Sequence, residues 1–187
     1  MSMTPVTYPL RNYGLVLATR ELGADVAEHL RANTLKSGGV IVDFCDIRVA
    51  SSPFLDELAC VLRAMIADTP RRFVLLANLN EDMADTLELV LQRRDIVLTV
   101  VRDGKLETVG GTRQLDETLA EADVLGTFTA ADLAERLELK LPNLHQRLAQ
   151  LTAAGALVRS EDPSAKRGRR LLFQTPGLDY RVPAGSC

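Results

Sequence analysis

The chain has 187 residues, of which 47% are hydrophobic and 25% charged, with a formal net charge of -3. That is enough for one large domain or two small ones with a real core, and the acidic balance excludes a uniformly basic nucleic-acid coat. Aromatic residues make up 4% and tryptophan is absent, which argues against a stacking platform for single-stranded nucleic acid. In chain order, Leu15 to Leu17 reads as a short apolar strand, and Thr19 caps a helix running to Asn33 with Leu22, Val26, Ala27 and Leu30 on one face. Ser37-Gly38-Gly39 is a turn into Val40–Phe44, a strand apolar enough to be buried on both faces. Ser51-Ser52-Pro53 opens a helix whose buried stripe is Phe54, Leu58, Val61, Leu62 and Met65. Phe73–Ala77 is a second buried strand, and Asn80 or Asp82 begins a helix through Met83, Leu87, Val90 and Leu91. Ile96–Val101 is a strand, turned by Asp103-Gly104 into Lys105–Val109.

Strands alternating with helices predict an α/β domain over residues 1–111 with a mainly parallel, mixed sheet. Gly110-Gly111-Thr112 marks the boundary to a second unit, residues 112–187, opened by a helix over Arg113–Val124. In that unit Leu133, Leu137 and Leu139 suit a short helix and its turn. Leu144, Leu148 and Leu151 make one face of the next helix, and Gly155 ends it. Leu157–Arg159 and Leu171–Phe173 then read as two strands of a hairpin with Lys166, Arg167, Arg169 and Arg170 at its tip.

The charge is polarised within this second unit. Lys140 to Gln174 holds seven lysines or arginines against two acids, whereas Arg113 to Leu139 holds two basic residues against seven acids. Four cations separated only by Gly168 repel one another unless an anion lies near them, so the hairpin tip is suited to phosphates.

Residues Phe128–Val158 resemble the winged helix-turn-helix of many bacterial repressors, including the terminal Ala-Ala-Gly-Ala-Leu-Val. The resemblance implies a helix in the DNA major groove and a hairpin against the phosphates. The groove helix would present Lys140, Asn143, Gln146, Arg147 and Gln150, where Asn and Gln pair with adenine and Arg with guanine or phosphate. Two positions depart from the usual pattern: Glu138 stands where the turn often has glycine, and Lys140 stands where the helix usually has a Ser or Thr cap.

Val40–Leu58, preceded by Thr19-Arg20-Glu21-Leu22, resembles the STAS-like domains of uncharacterised bacterial and archaeal proteins, related to the anti-sigma-factor antagonists. The family's pattern also fits Asn78-Leu79-Asn80. It implies a partner surface around Ser51 and Ser52 and a histidine-kinase-like ATPase as the protein partner. The phosphoacceptor of the antagonists falls on Pro53, which has no hydroxyl, so Ser51 and Ser52 are left as the switch candidates. Their alternative role is to cap the helix.

No catalytic constellation stands out. Asp43 and Asp46 flank a strand end, Asp56 and Glu57 lie in a helix, and the glycine pairs lack phosphate-loop spacing, so neither an enzyme nor a cofactor is expected. His29 and His145 are far apart, and no metal-ligand spacing is present. Cys45 and Cys60 are expected to be core thiols, Cys187 being the last residue. Without a leader-like start or a membrane-length apolar run, the expected setting is the cytoplasm. The combined expectation is a transcription regulator that binds double-stranded DNA, as a homodimer in the manner of many winged helix proteins, with the STAS-like half as an interaction or sensing module. The rival is a partner-switching adaptor whose winged helix binds protein or RNA.

Overall fold

The computed structural model of the chain describes residues 6–34, 37–69, 71–163 and 171–177. The elements are β1 (Val6–Pro9), β2 (Val16–Leu17), α1 (Arg20–Thr34), β3 (Gly39–Asp43), β4 (Val49–Ala50), α2 (Ser52–Asp68), β5 (Phe73–Ala77), α3 (Glu81–Arg94), β6 (Leu98–Arg102) and β7 (Lys105–Val109). They are followed by α4 (Arg113–Leu125), β8 (Thr127–Phe128), α5 (Ala130–Arg136), α6 (Leu141–Ala153), β9 (Val158–Glu161) and β10 (Leu171–Gln174).

The main sheet has the order β1-β3-β5-β6-β7. The first four strands run parallel and β7 returns antiparallel through the Asp103-Gly104 turn, where both residues take positive φ. The parallel strands follow one another in a single direction across the sheet. Right-handed crossovers of such a series deliver every connecting helix to the same face. Accordingly α1, α2 and α3 share one core with Val40, Val42, Val74, Leu76, Leu98 and Val100.

The other face needs a separate cover, because side chains alternate along each strand. Leu75, Val101 and Leu106 point to it and join a second core with Leu115, Leu119 and Ala122 of α4 and Leu133, Leu144, Leu148 and Leu151 of α5 and α6. All five residues of β5 are buried, as the unbroken apolar run Phe73–Ala77 predicts. A second, antiparallel sheet has the order β8-β10-β9, and the Phe128 and Phe173 rings stack at 5.9 Å across β8 and β10.

The two halves meet through the backbone as well. The Val74 N–H donates to Gly155 O at 3.2 Å, and the Thr99 hydroxyl donates to Ala154 O at 2.8 Å. The turn after α6 therefore continues the hydrogen bonding of the central strands. The Gly110-Gly111 step between the halves is a close-packed corner: a Cβ on Gly110 would lie 2.5 Å from Ile96 O, and one on Gly111 would lie 2.2 Å from the Thr108 hydroxyl. Asp116 of α4 then fastens the corner by accepting from the Thr108 N–H and hydroxyl, both at 2.7 Å.

Two thiol expectations change. Cys45 is buried but disulfide-bonded, not a free core thiol, and Cys60 is free and half-buried. Cys45 sits just past the end of β3, in a turn tied by Asp43, whose carboxylate accepts from the Cys45 N–H and from Asn78.

Candidate nucleic-acid interface

Local chemistry fixes where α5 begins and how it passes into α6. Thr129 caps α5 in a capping box: its hydroxyl accepts from the Asp132 N–H, and the Asp132 carboxylate accepts from the Thr129 N–H at 2.8 Å. The chain leaves α5 through Glu138, at φ 54°, the left-handed position that usually favours glycine. Lys140 is the N-cap residue of α6 and supplies no side-chain oxygen, while Pro142 pre-sets the first turn.

Leu144, Leu148 and Leu151 are buried and fix the orientation of α6. The opposite stripe carries Asn143, Gln146 and Gln150, all exposed, with Lys140 exposed at the helix start. These four side chains share one open surface.

Arg147 does not belong to it. Its guanidinium donates to the Thr118 hydroxyl at 3.0 Å and to the Gln114 carbonyl and side-chain oxygens, both at 3.4 Å. The reason is angular. Position 147 lies one residue from the buried Leu148 and flanks the apolar stripe on the side that meets α4, so a long cationic side chain finds acceptors there. Gln114 and Thr118, spaced i and i+4, are the sequence signal that could have revealed this pairing.

Lys166, Arg167, Arg169 and Arg170 lie outside the described residues. The strands that flank them are in place: β9 and β10 pair antiparallel, with Leu171 opposite Glu161.

Ser51 and Ser52 lie at the start of α2, at the other end of the molecule's α/β half. Ser51 is the N-cap residue: its Oγ accepts from the Phe54 N–H at 3.5 Å and donates to Ala18 O at 2.5 Å. Ser52 is exposed in the first turn and shares a shallow recess with Arg20, Pro53, Asp56, Arg93 and Arg94. Asp56 takes two hydrogen bonds from Arg94, at 2.8 and 2.6 Å, and one from Arg20 at 3.3 Å. The Arg94 hydrogen bond outweighs desolvation and holds the Asp56 carboxyl below the usual aspartate range.

Separate roles for the two serines follow. Ser51→Ala should lower stability by about 1 kcal/mol through the lost cap, a melting shift of roughly 2–4 °C for a domain of this size. Ser52→Ala should leave melting unchanged, because its hydroxyl caps nothing. Thermal melts of the two variants side by side test the assignment.

Acid should weaken the Asp56 network in a defined window. The carboxyl titrates lower in the folded chain than in the unfolded one, so its contribution is complete above the ordinary aspartate pKa and is lost as pH falls through the lowered value. Asp56→Asn should therefore flatten the acid limb of a stability-against-pH curve measured by urea unfolding, with the difference from wild type vanishing at the lowest pH.

The other carboxylates singled out in the sequence also have structural partners. Asp43 orders the turn after β3, Asp46 pairs with Arg11 at 3.3 Å, and Glu57 pairs with Arg20 at 3.7 Å. His29 accepts or donates at 2.9 Å to Tyr13, which in turn meets the Tyr8 hydroxyl. Among the described residues no group of His, Cys, Asp and Glu is arranged to hold a metal ion, and no helix is long and apolar enough to cross a membrane. No family model matches the chain, and no curated protein matches it in sequence.

Proposed function

We propose that the chain is a transcription regulator that binds double-stranded DNA through a C-terminal winged helix unit attached to a STAS-like α/β half. The observation that carries this reading is the exposed, uncharged polar stripe of Asn143, Gln146 and Gln150 on α6. It stands on the second of two helices joined by a tight turn and braced by the β8-β10-β9 sheet. Amide side chains on such a helix suit the adenine edge in the major groove, and Lys140 at its start suits a phosphate. The order α4, β8, α5, α6, β9, β10 supports the winged helix comparison, because the short strand between the first two helices pairs with the last strand of the hairpin.

The cations that neutralise phosphates are then Lys140 and the sequence cluster Lys166, Arg167, Arg169 and Arg170, while Arg147 braces the reading helix against α4. Fluorescence anisotropy on duplex DNA tests this. Affinity should fall on the order of 10²-fold between low and physiological salt. Arg167→Ala with Arg169→Ala should weaken all duplexes alike and flatten the salt slope. Asn143→Ala or Gln146→Ala should cost about 1–3 kcal/mol on the preferred sequence only. Arg147→Ala should lower the melting temperature and leave the salt slope unchanged. Absence of binding at low salt and micromolar protein would overturn the proposal. Gel filtration of the complex reports whether two copies bind paired half-sites.

The recess around Ser52 favours one second reading, a docking surface for a protein partner such as a histidine-kinase-like ATPase. Ser52 is exposed beside Arg20, Arg93 and Arg94, so a charge change there would alter a surface without disturbing the core. Ser52→Asp should fold normally and change partner capture. Equal capture by both proteins would remove Ser52 from the docking surface.

A further inference from the structure

A cavity of about 570 Å³ lies where the two halves of the chain meet. It is bounded by the end of α2, the turn from α3 into β6, one flank of α6, and the β9 and β10 strands. Its volume falls within the range of small-molecule sites. Three observations define what it would take. Its wall is mainly apolar, with Ile66, Ile96, Leu148 and Phe173 drawn from both cores. Two guanidinium groups, Arg63 of α2 and Arg159 of β9, line it, and neither takes part in an ion pair among the described residues. One carboxylate, Asp95, is also at the wall, so the two guanidinium groups leave a surplus of one positive charge.

We propose that this cavity binds a small amphipathic monoanion, a medium-chain or aromatic carboxylate, with its apolar body against the joined cores and its carboxylate held by Arg63 and Arg159. A dianion would exceed the available positive charge, and a cation would meet two guanidinium groups against one carboxylate. A neutral molecule would leave both cations without a partner, whereas a carboxylate pairs with them through charge-assisted hydrogen bonds. The occupant would touch α6 at Leu148 and reach Gln150, the end of the stripe that Asn143 and Gln146 begin. The two groups that hold the carboxylate, Arg63 and Arg159, are not proposed DNA contacts, so binding of the anion does not depend on the DNA reading.

The test uses the full chain and three probes with one tail and different heads: octanoate, octan-1-ol and octylamine, each titrated by calorimetry. Octanoate should bind at one site, about tenfold or more tighter than octan-1-ol, the difference a charge-assisted pair supplies, and octylamine should bind weakest. Arg63→Ala with Arg159→Ala should bring octanoate down to the level of octan-1-ol without weakening octan-1-ol. Ala67→Phe, an exposed lining position on α2 that adds a ring to the cavity, should weaken octanoate and octan-1-ol together. Circular dichroism melts establish that both variants fold. Equal affinity for the three heads, or octanoate binding untouched by both variants, would overturn the proposal.

Discussion

A chain ending at Gly111 is expected to aggregate instead of folding as a stable monomer. Residues 1–111 contain the whole main sheet, but among the described residues its second face is covered by the C-terminal unit, chiefly α4, α5 and α6. Without them Leu75, Val101 and Leu106 face water, and the Val74 N–H and Thr99 hydroxyl lose Gly155 and Ala154 as acceptors. Full exposure of three such side chains costs on the order of 5 kcal/mol, a large part of the 5–15 kcal/mol by which domains are stable. An uncovered, flat apolar face also invites association. Size-exclusion chromatography and urea unfolding of the truncated chain check this: a monomer with one cooperative transition would show that the α/β half stands alone.

The single substitution expected to do most damage is Gly155→Val. Gly155 ends α6 at φ 76°, and a Cβ there would lie 2.8 Å from Val74 O and 3.1 Å from Ile66 Cδ1. A β-branched residue thus meets a left-handed backbone and the carbonyl of a central strand at once. Strain and overpacking together should cost about 3 kcal/mol or more, lowering the melting temperature by roughly 6–12 °C. Gly104→Val, in an open hairpin turn with nothing within 4 Å of the added Cβ, carries the backbone strain without the clash and is the matched control. Equal loss in the two variants would mean that the contact with β5 contributes nothing.

Both results turn on a feature that the sequence reveals only in half. The apolar period of α4, with Leu115, Leu119 and Ala122 buried, is legible as an amphipathic helix, but a period says nothing about which surface covers it. Phe73–Ala77 was readable to the residue because a short, β-branched and aliphatic run between polar turns admits little else. β1 escaped because Val6–Pro9 is four residues long and ends in proline, which suits an edge strand but hides its alternation. β8 escaped because two residues carry no periodicity at all. In the candidate interface the stripe of Asn143, Gln146 and Gln150 was readable from helical spacing. Arg147 was not, since it lies at the margin of the stripe and its direction depends on the acceptors that α4 supplies. The start of α2 was legible as a capped helix, yet only the backbone geometry separates Ser51, which caps, from Ser52, which does not.

The hydrogen bond from Thr99 to Ala154 joins residues 55 positions apart, across the seam of the two halves. That separation has a consequence in time. On the ribosome the main sheet emerges first, and at the usual 5–20 residues per second the segment that roofs its second face follows roughly 2–10 s later. The sheet cannot finish its own hydrogen bonding in that interval, since the acceptors for Val74 and Thr99 have not been made. The nascent chain therefore passes through a waiting state with one open face, and the speed of translation past Gly111 sets how long that state is exposed to neighbours and chaperones. Synonymous slowing of that stretch should reduce yield while leaving the purified protein unchanged.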